Sequence, residues 1–115
     1  MEARRLRREE RLRLRRDFDR VFSEGRSVHD ENLRIVYVEN GLGYPRFAVV
    51  VRKRIGKAVY RNRLKRLIRE VFRLNKEKFP SVDMVFVVRD GLKGRKNIKY
   101  WDVERIVLKL LEKMG

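Results

Sequence analysis

The chain has 115 residues, with 32 Lys or Arg against 16 Asp or Glu, one His and no Cys, for a formal net charge of +16. That length suits one packed domain, and 43% hydrophobic with 42% charged residues is the composition of a globular fold with a loaded surface. The absence of Cys excludes disulfides, thiolate zinc sites and cysteine nucleophiles. The apolar runs are too short to span a bilayer and the N-terminus lacks a signal-peptide core, so a cytoplasmic protein is expected.

Residues 1–16 are mostly Arg, Glu and Leu without a clean period, and read as a basic N-terminal arm, mobile or partly helical. A single domain over 17–115 follows. Phe18, Val21 and Phe22 fall at i, i+3, i+4, predicting a short helix from Asp17, its cap, to Glu24, with Gly25 ending it. Residues 26–28 could form an edge strand. The β-branched and aromatic runs 33–39 and 46–51 flank the turn-forming segment Asn40-Gly41-Leu42-Gly43-Tyr44-Pro45, which predicts a hairpin. A helix over 59–75 carries the apolar stripe Leu64, Leu67, Ile68, Val71 and Phe72. Residues 82–88 read as a buried strand. A last helix, 100–114, repeats the stripe at Val103, Ile106, Val107, Leu110, Leu111 and Met114. The order α-β-β-β-α-β-α describes an α+β, single-domain α-β sandwich: a small mixed sheet with three helices, the two long ones on one face.

The charge is concentrated. Residues 1–20 carry net +4, residues 52–73 net +9 and residues 89–99 net +4, leaving the other 62 residues together at −1. A nearly neutral scaffold with three basic segments calls for an anionic partner, nucleic acid before membrane. Arg supplies 22 of the 32 cations, and its flat guanidinium grips phosphate bidentately and stacks on bases.

The most informative stretch runs from Arg52-Lys53-Arg54 through Gly56 and Lys57 into Arg61-Asn62-Arg63, then Lys65, Arg66, Arg69 and Arg73. At 100° per residue, Asn62, Arg66, Arg69 and Arg73 cluster opposite the apolar stripe. Helix N-terminal amides attract phosphate, and surrounding cations reinforce them. A merely solvated face would mix signs through i,i+4 pairs, yet Glu70 is the one acid between 52 and 73.

Gly56-Lys57-Ala58-Val59 leading into Arg61-Asn62-Arg63-Leu64-Lys65-Arg66-Leu67-Ile68-Arg69-Glu70 resembles the RNR signature of the bacterial ribonuclease P protein family. The upstream Arg16-Asp17-Phe18-Asp19-Arg20-Val21-Phe22-Ser23-Glu24-Gly25 is similar to that family's N-terminal block, in the expected order and spacing. The resemblance implies an α-β sandwich whose RNR helix lies in a left-handed crossover, against the usual right-handed rule. It implies a subunit of ribonuclease P, assembled with a catalytic RNA that removes the 5′ leader of precursor tRNA using Mg²⁺ bound by the RNA. No cofactor of the protein itself and no obligate protein partner follow from it.

Residue by residue, the resemblance implies a leader-binding cleft containing Phe18 and Phe22, with the basic cluster Arg52, Lys53 and Arg54 at its rim and Arg89 after the last strand. The family's strand aromatic falls on Val36 here, with Tyr37 one position along and so on the other face of a strand. Lys57, Arg61, Asn62, Arg63, Lys65, Arg66, Arg69 and Arg73 are implied to meet RNA. Phe18 and Phe22 have helical spacing, which plain core packing would also produce. Protein-only RNA hydrolysis commonly uses a histidine pair or carboxylate-held metals; His29 stands alone, and His29-Asp30-Glu31 reads as a solvated loop. Catalysis by the isolated chain is therefore not expected. A structural RNA-binding protein, such as a ribosomal protein, shares the charge and is the alternative from a different class.

Overall fold

The structure, a computed structural model, describes residues 5–115. The first four positions of the predicted arm lie outside the described residues. Three helices and four strands follow in the expected order: α1 (Arg15–Glu24), β1 (Arg26–His29), β2 (Leu33–Glu39), β3 (Arg46–Val50), α2 (Ala58–Leu74), β4 (Val82–Val88) and α3 (Tyr100–Lys113).

The strands form one mixed sheet of order β1-β2-β4-β3, with β2 antiparallel to β4 and β3 parallel to it. The predicted hairpin is thus split, because β4 lies between β2 and β3. Every residue of β4 except Val87 is buried, and a strand apolar on both faces belongs at the centre of a sheet. The six-residue connection 40–45 spans the gap of about 10 Å, two strand spacings. It is strapped across the start of β4: Asn40 Nδ2 donates to Asp83 Oδ1 at 2.9 Å, Ser81 Oγ to Asn40 Oδ1 at 2.7 Å, and Gly43 N to Ser81 Oγ at 2.9 Å.

The period of two sends alternate strand residues to opposite sides. Leu33, Ile35, Phe47, Val82, Met84, Phe86 and Val88 join Leu64, Ile68, Val71 and Phe72 of α2 and Val103, Val107 and Leu110 of α3 in the main core. Four of the six phenylalanines interlock there: Phe47 stacks on Phe72 at 4.3 Å between centroids, and Phe79 and Phe86 close the group at 5.1 and 6.4 Å. Opposite, Val21 of α1 packs on Val36 and Val85 with Leu12. Both long helices therefore share one face, and α1 occupies the other.

The start of α1 departs from the expectation. The helix begins at Arg15 with Leu14 as its cap, and Asp17 lies in the first turn, 3.7 Å from the Arg46 guanidinium. Gly25 does end the helix, but in extended backbone. A Cβ there would lie 2.3 Å from Val21 O and 2.8 Å from Tyr37 O. Glycine is needed because helix and strand touch at this point.

Residues 5–14 are docked. Leu12 N donates to Phe47 O at 2.8 Å, so Arg11 bridges Phe47 in parallel and extends the sheet beyond β3. Buried Glu10 accepts from Arg7 N at 2.7 Å and from Lys76 Nζ at 2.8 Å. His29, read as part of a loop, is the last residue of β1, while Asp30 turns the chain by accepting from Asn32 N and Leu33 N.

One buried charge ties these layers together. Asp83, fully buried on the α1 side of β4, receives Arg46 Nε at 2.8 Å and Nη2 at 2.7 Å, the Asn40 amide, and the Arg20 guanidinium from α1. Burial pushes the Asp83 carboxyl up; the hydrogen bonds from Arg46 and Asn40 and the charges of Arg46 and Arg20 more than offset it, leaving the pKa lowered. A lowered folded-state value stabilises the fold fully above the unfolded pKa near 3.8. That contribution disappears as pH falls through the folded value. Asp83→Asn is expected to cost about 3 kcal/mol, the lower end for a broken buried pair because both arginines keep partial solvent access. Urea unfolding at neutral pH should show it as a lower midpoint with an unchanged slope, and the gap to the parent should narrow below pH 4.

Candidate nucleic-acid interface

On the α1 side, the register sets three rows across the sheet: Val38, Asp83 and Arg46; Val36, Val85 and Ala48; and Arg34, Val87 and Val50. Arg20 and Val21 of α1 hold the first two rows. The third, with Arg34 exposed and Val87 and Val50 half-buried, lies beside the helix. Val21 is completely buried, whereas Phe18 is half-buried and Phe22 is 48% exposed. The i, i+3, i+4 pattern does not distinguish them; the helix sinks its valine and leaves both rings at the borders of its footprint.

Phe18 lines a groove of about 350 Å³ together with Arg11, Arg13, Ala48, Lys65 and Arg69. This groove crosses the β3 edge and joins the α1 side of the sheet to α2. Arg11 and Arg13 were not singled out by sequence reasoning; the alternation Arg11-Leu12-Arg13-Leu14 is the strand-like signal that places them. Val36 lies on the same face but is 2% exposed beneath α1, so it is floor and not contact surface. Tyr37 is on the opposite face, packed against the main core, with the Arg26 guanidinium 5.9 Å from its ring centroid. The one-residue step along β2 removes it from the groove.

Beyond β3, Arg52, Lys53 and Arg54 are exposed around a 3₁₀ turn over Lys53–Ile55. Arg54 pairs with Asp90 at 2.8 Å, both side chains more than half exposed, a contact worth little to stability. Arg89 donates to Asp30 O at 2.6 Å and so braces the β1–β2 turn. Gly56 then lets the chain pass beneath a tyrosine ring, since a Cβ would lie 2.7 Å from Tyr60 Cδ2. The Tyr60 hydroxyl donates to Leu92 O, and burial raises its pKa.

The electrostatics of α2 differ from those of its neighbours. Asp17 and Asp102 occupy the first turns of α1 and α3, but the first turn of α2 contains no acid. Its positive helix end is crowned by exposed Lys57 and by Arg61 and Arg63. Arg61 Nε donates to Gly56 O at 3.0 Å and Arg63 to Ile98 O, which fixes the direction of both side chains. Asn62 and Arg66 are exposed, and Lys65 is half-buried. The Arg69 pKa is lowered by burial and by the charges of Arg11 and Arg66. Like charges held this close favour an anion that would relieve them. Arg73 is engaged by Glu70 at 2.8 and 3.0 Å, and that contact lowers the Glu70 pKa.

All three basic segments of the sequence therefore converge on α2. The N-terminal segment meets it through Arg11 and Arg69, the β3 exit leads into it, and residues 89–99 are pinned beside it through Tyr60 and Arg63. Among the described residues no three of His, Asp and Glu converge as a metal site, and no helix is long and apolar enough to cross a membrane.

Comparison with known proteins gives this surface a family. The family described as Ribonuclease P matches residues 6–115. The chain belongs to the ribonuclease P protein family. The ribonuclease P protein component of Petrotoga mobilis is 44% identical, the match covering 99% of this chain and 98% of that protein. That of Thermotoga maritima is 42% identical with 93% of each chain covered. The solved ribonuclease P protein of Thermotoga maritima superposes with a TM-score of 0.84 at 41% identity over 92% of this chain and 98% of that one. The Staphylococcus aureus ribonuclease P protein gives 0.82 at 25% identity, covering 92% and 95%. As a ribonuclease P protein component, the chain is a partner of the ribonuclease P RNA and a subunit of the ribonucleoprotein endoribonuclease of tRNA 5′ processing.

Replacing Arg66 and Arg69 together with Ala is expected to weaken RNA binding and to flatten the plot of log affinity against log salt. For every phosphate that is no longer neutralised, the slope should shrink by about 0.7–0.9. Arg73→Ala, whose guanidinium is already engaged by Glu70, should change the slope less. Filter binding over a salt series reads both.

Proposed function

We propose a division of labour between the two sides of this ribonuclease P protein. The α2 surface, with Lys57, Arg61, Asn62, Arg63 and Arg66, binds the catalytic RNA, the groove beside α1 holds the single-stranded 5′ leader of precursor tRNA, and Lys65 and Arg69 stand where the two meet. The observation that carries the reading is the groove in which the half-buried Phe18 ring shares one wall system with Arg11, Arg13, Lys65 and Arg69. Stacking on an aromatic ring is indifferent to base identity, and cations along the same track neutralise backbone phosphates. A leader of any sequence can therefore be held by its ring faces and its charge.

Cleavage itself belongs to the RNA, with Mg²⁺ bound there. Three of the acids near the proposed surface serve arginines: Asp83 serves Arg46, Glu70 serves Arg73, and Asp90 serves Arg54. This chain's contribution is positional and electrostatic. By neutralising phosphates that would otherwise repel the RNA's own backbone, it lowers the divalent cation needed for assembly and substrate binding. Such a role is exercised in the cytoplasm, where precursor tRNA is made available to the enzyme.

Adding the chain to catalytic RNA at low Mg²⁺ is expected to stimulate cleavage of precursor tRNA. In the assembled enzyme, Phe18→Ala should weaken precursor binding about tenfold, in keeping with about 1–3 kcal/mol per stacked base. Binding of mature tRNA, which lacks the leader, should be unchanged. Equal loss for both substrates would overturn the leader assignment; Val21→Ala, which empties the packing beneath α1, provides the pattern of a folding defect for comparison.

A further inference from the structure

The chain's only tryptophan, Trp101, stands 59% exposed on the first turn of α3. Its surroundings are cationic: between Gly91 and Trp101 the sequence has Lys93, Arg95, Lys96 and Lys99 and no acid, and all four are exposed. The Lys99 ammonium lies 6.0 Å from the indole centroid. The loop carrying these residues is firmly built. Gly94 and Asn97 adopt left-handed backbone, Gly94 N donates to Ile55 O at 2.9 Å, and Ile98 is buried in the main core. The Ile98 carbonyl accepts Arg63 of α2, and Asp102 closes the helix start by accepting Lys99 N at 3.0 Å. The ring is thus carried on a rigid helix end fastened to the RNA-binding helix.

A wide apolar ring framed by cations and held on a stiff support suits a stacked base with phosphates on either side. A protein partner would be poorly served here, because interface cores are depleted of charge. Trp101 is on α3, which packs beside α2 on the sheet face opposite α1, so a molecule seated on α2 is placed to meet this ring. We infer that Trp101, with Lys96, Lys99 and Arg63, forms a second stacking platform that takes an unpaired base of the catalytic RNA. The inference rests on the reading that α2 binds that RNA.

Because Trp101 is the sole tryptophan, emission excited beyond the absorption of the four tyrosines reports on this position alone. Titration with the catalytic RNA is expected to quench that emission and to shield it from acrylamide, with binding followed independently by the anisotropy of end-labelled RNA. Trp101→Ala should weaken the complex about ten- to a hundredfold. Trp101→Phe should recover most of the loss, and circular dichroism should be unaltered in both variants. Saturated binding with unchanged emission and parent-like affinity of Trp101→Ala would overturn the platform alone. Quenching by precursor tRNA in the absence of the catalytic RNA would reassign it to the substrate and overturn the choice of partner. Failure of the RNA to bind at all would remove the assembly reading and the platform with it.

Discussion

A single buried carboxylate organises this protein. Asp83 accepts from Arg46, Asn40 and Arg20, which belong to β3, to the strap between β2 and β3, and to α1. The charge is tolerated in the interior because its lone pairs are filled and two cations face it. Its location decides the geometry of the α1 side. α1 is held over the rows containing Asp83 and Val85, and the row of Arg34, Val87 and Val50 is left beside it. An apolar contact alone would let a ten-residue helix slide; Arg20, which donates to Asp83 and to Glu39 O, fixes its register. The partial exposure of Phe18 and Phe22 follows from that register rather than from any lack of apolar surface to cover them.

The second organising fact is electrostatic. Elsewhere the protein pairs its charges sparingly but sensibly, placing Asp17 and Asp102 at helix starts and Glu10 against Lys76. Along α2 it does the opposite: the helix begins without an acid, and Arg69 is pressed by Arg11 and Arg66. Such an arrangement lowers the stability of the isolated protein and raises its affinity for a polyanion. Membership of the ribonuclease P protein family identifies that polyanion and makes the arrangement intelligible.

Much of this was legible in the amino-acid order, and the gaps have physical reasons. The helices were visible because the stripes Leu64, Leu67, Ile68, Val71 and Val103, Ile106, Val107, Leu110 are long and regular. Sheet order was not: local pattern marks residues 33–39 and 46–51 as strands but cannot tell that a third strand, which starts 32 positions after the end of β3, will part them. Long-range pairing is a tertiary decision. The RNR segment was conspicuous through its lack of acids, whereas Arg11 and Arg13 passed unnoticed because a four-residue alternation is weak against a background of Arg and Glu. Phe18 and Val21 looked equivalent in periodicity; only the seating of α1 over Val36 and Val85 separates a packing residue from a binding one.

The docked segment at Arg11–Leu12 has a bearing on how the molecule behaves in a crowd. A polyanion gathers many copies of a protein carrying +16 onto one surface, where an unpaired strand rim would invite neighbouring copies to zip together. Here one rim is partly covered by the chain's own backbone, through Leu12 N and Phe47 O. The other is the four-residue β1, with Arg26, Ser27 and His29 exposed. The partial cover on one side and the short, polar strand on the other both work against edge-to-edge pairing when copies crowd on nucleic acid.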